Sequence, residues 1–96
     1  MPSFELMGVL IDISGAGAED DPFIVQGVKD NPSLAALAEH KMVDIWMGEG
    51  NWFLVESRLL TPRKGQTMAV LKIRAFDSDD QLIQGEIWFD VSEAFR

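Results

Sequence analysis

The hydrophobic pattern of the chain changes character near its middle. Residues 4–13 (FELMGVLIDI) are apolar on both alternations, which predicts a strand covered on both faces. Residues 23–28 (FIVQGV) form a second apolar run, too short for periodicity to choose between strand and helix. The intervening segment, 14–22, is polar and rich in Gly and Asp. A helix start follows: Asn31 suits the N-cap, Pro32 the first helical position, and Leu34, Leu37, Ala38 and Lys41 share a face. The spacing predicts about three turns of helix. From residue 42 onward the chain reads as a β-meander, with strands near 42–47, 51–60, 67–76 and 82–91. Its turns are Gly48-Glu49-Gly50, Arg63-Lys64-Gly65 and Ser78-Asp79-Asp80. No repeat, linker or low-complexity segment divides the chain, so residues 1–96 read as a single domain.

The turns predict a register. A three-residue hairpin loop places its last residue in the left-handed region, where Gly is favoured and Asp tolerated; Gly50, Gly65 and Asp80 occupy those positions. On one face Ile45, Phe53, Ala75 and Ile83 then align, as do Val43, Val55, Ile73 and Gly85, and also Leu59, Ala69 and Phe89. That face reads as the core, with Ala69, Ala75 and Gly85 leaving room for the helix. On the opposite face Glu56, Lys72 and Glu86 alternate in sign across three strands, which supports the register. Val70 falls opposite Trp88. Near the loops at 48–50 and 78–80, Trp46, Trp52, Phe76 and Leu82 form one apolar row.

These elements predict an α+β domain, an antiparallel β-meander of four to five strands packed on one short helix. The β-α-β-β-β-β order resembles the cystatin-like arrangement, in topology alone; a partly open barrel is the alternative. Fold analogy of this kind implies no function.

Composition narrows the chemistry. Sixteen acidic against eight basic residues give a net charge of −8, which disfavours nucleic acid and anionic membrane surfaces. The chain has no cysteine, so disulfides, thiolate catalysis and Cys-based zinc sites are excluded. No apolar run reaches the ~20 residues of a membrane span, and a cytoplasmic setting is expected. Gly15-Ala16-Gly17 after a β-branched run suggests a nucleotide loop at first sight. Asp20 stands where a third glycine would, however, and Glu19, Asp20 and Asp21 would repel a pyrophosphate. Asp77-Ser78-Asp79-Asp80-Gln81 has the carboxylates of a calcium loop, but Leu82 replaces its glycine and no bidentate Glu lies at the twelfth position. His40, the only histidine, is expected near the helix end, interacting with its carbonyls. No serine lies in a nucleophile motif. No catalytic, metal or cofactor residues are therefore assigned.

The aromatic row is the main lead, because Trp and Arg are enriched where proteins dock and contiguous exposed apolar patches mark partners. The expected function is a small, acidic, non-catalytic protein-binding domain. Trp46, Trp52, Phe76, Leu82 and Arg74 would form its docking row and Glu49, Asp77, Asp79 and Asp80 its acidic rim. The expected partner is a protein with basic residues, or a second copy of the chain. One alternative is a small-molecule-binding protein or enzyme using a cavity between helix and sheet, floored by Ser57, Ala69, Ala75 and Gly85. The other is an acidic inhibitor that mimics nucleic acid.

Overall fold

The computed structural model describes residues 2–95. Their elements are β1 (Ser3–Leu6), β2 (Val9–Ser14), β3 (Phe23–Gln26), α1 (Pro32–Met47), β4 (Trp52–Arg63), β5 (Gln66–Phe76), β6 (Leu82–Asp90) and a terminal 3-10 turn, Ser92–Phe95. The strands make one open six-stranded sheet in the order β1-β2-β3-β6-β5-β4, so β1 and β4 are its edges. All neighbours are antiparallel except β3 and β6, which join the two halves in parallel through Phe23 beside Phe89 and Ile24 beside Asp90. The class is α+β, as expected. Three strands precede the helix and three follow it, however, so the β-α-β-β-β-β order does not hold.

Two local features account for the difference. Residues 4–13 are a hairpin rather than one strand. Met7 and Gly8 turn it with φ of 51° and 79°, a pair of positive angles that matches the right-handed twist of the flanking strands. A methionine in that conformation gives no turn signal. The second feature is helix length. Asn31 caps α1 by accepting the Leu34 N–H at 3.1 Å, and Pro32 opens it, both as expected. The helix then continues through residues 42–47, where a strand was expected, to Met47; Gly48, with φ of 92°, ends it. Gly48–Gly50 is consequently a helix exit and not a hairpin. The stripe that α1 buries is Leu34, Ala35, Ala38, Glu39, Met42 and Val43, while Leu37 and Lys41 face outward. Its spacing is helical throughout, so packing outweighs the alternating, β-branched look of Met42–Met47.

The register of β5 against β6 is the expected one: Val70 pairs with Trp88, Lys72 with Glu86, Ile73 with Gly85 and Ala75 with Ile83. Beside β5, Leu59 pairs with Ala69 and Glu56 with Lys72, also as expected. Between Leu54 and Glu56 a bulge inserts Val55 as an unpaired residue. Beyond it the register slips by one, so Trp52 pairs with Ala75 and Phe53 with Arg74. A one-residue slip exchanges the two faces, which moves Trp52 to the helix side and Phe53 to the other.

The core lies between α1 and the sheet, with Ile11, Ile13, Val25, Val43, Leu71 and Phe89 at its centre. It contains no fully buried residue of β4. The carboxylate of Glu93 closes the far end by accepting the N–H groups of Gly27 and Val28 at 2.7 and 2.8 Å. The segment 14–22 turns a corner: Ala18 and Asp21 bridge each other, and the Gly17 carbonyl accepts the Trp88 N–H at 2.8 Å, extending the sheet beside β6.

Candidate functional site

The expected docking row is not continuous. Trp46 lies on α1, where its ring meets that of Phe23 edge-on at 5.4 Å; it is half exposed. Trp52 has turned to the helix side. There its indole N–H donates to Asp44 at 2.7 Å, and its ring meets that of His40 at 5.5 Å. Asp44 falls within 42–47, where a strand was expected, and the longer helix carries it here. His40 sits in mid-helix rather than at the helix end, so its role is contact with Trp52.

Phe76 and Leu82 do pair across the β5–β6 hairpin and are both exposed. Arg74 lies on the same face two residues from Phe76, and its Nε donates to Gln84 at 2.9 Å. Phe53, brought over by the bulge, joins this cluster in place of Trp52. Of the acidic rim, Glu49 lies exposed in the helix exit and Asp79 and Asp80 at the hairpin tip, while Asp77 is half-buried. Asp77 closes the tip by accepting the N–H groups of Asp79 and Gln81, each at 2.9 Å. Asp80, with φ of 57°, takes the left-handed position expected of it. The Asp77 side chain therefore serves the turn, and among the described residues no group of three His, Cys, Asp or Glu side chains is placed to hold a metal ion.

Another exposed apolar feature lies on β4. Along twelve residues β4 has no buried position; only Trp52 and Leu60 are half-buried. Phe53, Leu54, Val55 and Leu59 are exposed, Leu59 to 61%. Its outer edge is also unpaired. The Phe76 N–H donates to the Asn51 carbonyl, so by alternation Arg74, Lys72, Val70 and Met68 direct their backbone groups toward β4. Their partners Phe53, Glu56, Arg58 and Leu60 face inward to β5, which leaves the N–H and C=O groups of Trp52, Leu54, Ser57 and Leu59 on the free edge. Arg58 reaches diagonally over β5 to Glu86 at 2.8 Å, and Val70 lies buried between Arg58 and Trp88.

Because α1 sits over the other half of the sheet, a groove of about 450 Å³ runs between helix and β4. Ala35, Ala36 and Glu39 form one wall, with Ser57, Leu59 and Ala69 opposite. A smaller cavity of about 200 Å³ opens at the other end of the helix, beside Trp46, Ala75 and Gly85. The space expected under the helix thus exists as two separate openings, Ser57 and Ala69 at one and Ala75 and Gly85 at the other. Glu39 is the one charged residue in the buried stripe, only 7% exposed, and burial pushes its carboxyl up from 4.5 to about 7. Sequence reasoning passed over Glu39 because it took Leu34, Leu37, Ala38 and Lys41 as the helix face. Glu39 follows Ala35 and precedes Val43 by four residues, and that spacing was the available signal.

Comparison of the chain with family models, with curated proteins and with solved structures returned no match, so a functional reading rests on geometry and chemistry alone. No helix among the described residues is long and apolar enough to cross a membrane.

Proposed function

We propose that the protein is a small, acidic, non-catalytic protein-binding domain that self-associates through the edge of β4. The expected docking row of Trp46, Trp52, Phe76 and Leu82 is replaced in this reading by a strand. The observation that carries it is the length and exposure of that edge: twelve residues, with Phe53, Leu54, Val55 and Leu59 exposed and backbone groups open on the free side. Natural proteins commonly blunt edge strands with charge, proline or a bulge; in β4 the bulge at Val55 and Pro62 flank residues 56–60, whose open backbone groups leave room for another strand to pair. Pro62 is the only proline in β4, and it lies at the end.

A second copy is favoured as the occupant by charge complementarity. Antiparallel pairing about a twofold axis at Ser57 sets Glu56 of each copy opposite Arg58 of the other, on the face of the sheet away from the helices. Opposite charges directly across a strand pair are stabilising, and they fix the register. Such pairing would merge two six-stranded sheets into one. The cluster of Phe53, Phe76 and Leu82 with Arg74 is a further surface for a partner bearing basic residues, rimmed by Glu49, Asp79 and Asp80. A cytoplasmic location belongs to the same proposal.

Sedimentation velocity tests it. Wild type is expected to sediment as a dimer. Ser57→Pro removes a free-edge donor without touching the β4–β5 ladder, and Leu59→Lys places charge beside the edge. Both variants are expected to sediment as monomers with unchanged circular dichroism. A monomeric wild type, or a dimer that survives both substitutions, overturns the reading.

A further inference from the structure

Glu39 is the least explained group in the fold. It is more than nine-tenths buried as a residue, its carboxylate oxygens keep a solvent contact, and no hydrogen bond or ion pair from a described residue reaches them. A carboxylate without a partner in an apolar wall is costly to desolvate, and packing alone would be better served by an alanine or leucine. Among the described residues, the bases Arg58, Lys72 and His40 are engaged or turned elsewhere. Arg58 contributes to the groove wall, but its guanidinium lies over the far face of the sheet, bound to Glu86. Lys72 also projects from that far face, in register with Glu56 and Glu86, and the His40 ring meets Trp52. Around the carboxylate the groove offers mainly methyl and methylene surface from Ala35, Ala36, Leu59 and Ala69.

We propose that this groove is a binding site for a small organic ammonium ion. The apolar body of the ligand would lie along Ala36, Leu59 and Ala69, and its charged nitrogen would donate to the Glu39 carboxylate. The volume of about 450 Å³ lies within the range of small-molecule sites, which combine apolar walls with a few orienting polar groups. An ammonium ion supplies both things that Glu39 lacks, a hydrogen-bond donor and a compensating charge. A neutral ligand of the same shape would leave the carboxylate uncompensated, and an anionic one would be repelled. The site does not depend on self-association: strand pairing at the edge of β4 uses backbone groups and leaves the helix-side surface of Leu59 open to the groove.

The test compares hexylammonium, hexanol and hexanoate by thermal unfolding of the intact chain at pH 8, with Glu39→Gln and Ala36→Leu beside wild type. Glu39→Gln keeps the shape of the wall and removes its charge. Ala36→Leu keeps the charge and fills the groove at a solvent-exposed helix position that tolerates leucine. Hexylammonium is expected to raise the Tm of wild type by about 7 °C once its concentration is about tenfold above Kd, with hexanol and hexanoate giving much less. Both substitutions are expected to abolish that selective rise. A wild type that responds equally to all three probes, or a response to hexylammonium that persists in Glu39→Gln, overturns the proposal. Isothermal titration with hexylammonium reads the same contrast without thermal unfolding, and absence of saturable heat for wild type also overturns it.

Discussion

Replacing Glu39 by glutamine isolates the energetic cost of a desolvated carboxylate from everything else in the fold. In the folded chain the group releases its proton near pH 7; its ordinary value is 4.5. Between those values the folded state holds a proton that the unfolded chain has lost, so stability falls as the pH rises. The contribution is present in full below about 4.5, declines at about 1.4 kcal/mol per pH unit, and is exhausted above about 7. From pH 5 to pH 8 wild type should thus lose about 2 to 3 kcal/mol on account of this one side chain. Glutamine fills nearly the same volume and does not titrate. The expected result is that wild type and Glu39→Gln have similar urea midpoints at pH 5 and diverge at pH 8, the variant being the more stable. Comparing the two proteins cancels every titration they share. Curves for the two that stay parallel from pH 5 to pH 8 would refute the reasoning, since the carboxylate would then carry no burial cost.

Two other substitutions probe how the ends of the chain are fastened. Glu93→Ala deprives the Gly27 and Val28 N–H groups of their shared acceptor, and urea unfolding is expected to report a loss of about 2 kcal/mol. Gly17→Ala places a Cβ 2.6 Å from the Phe23 ring at a backbone position with φ of 82°, so calorimetry is expected to show a lower Tm, equivalent to about 1 to 3 kcal/mol.

The parts of the fold legible in the sequence were those set by local chemistry. Asn31 and Pro32 marked the helix start, and Gly65 and Asp80 adopt the positive φ their turns required. The alternating charges of Glu56, Lys72 and Glu86 gave the register of β6 on β5, and of β4 on β5 from Glu56 to Leu60. What escaped depended on events without a local signature. Met7 turns a hairpin in a conformation that methionine seldom takes, and Val55 bulges from a run that looks regular. That single bulge displaced Trp52 and the longer helix took Trp46, which together removed half of the expected docking row. Residues 42–47 look like a strand, yet they pack as helix because Met42 and Val43 complete an apolar stripe begun at Leu34. Glu39 was hidden within the same stripe by its charge.

The parallel contact between β3 and β6 has a consequence for how the molecule is made. Phe23 finds Phe89, and Gly27 and Val28 find Glu93, across some two-thirds of the chain. During synthesis the first three strands and the helix are complete long before the strand that joins them exists. Until then the faces of Ile13, Val25 and Val43 have no Phe89 to close over them. Such high contact order makes folding slow and leaves a growing chain with apolar surface on display. The nascent protein is therefore expected to lean on chaperones until Glu93 has cleared the ribosome, after which β5, β6 and the N-terminal hairpin can lock together.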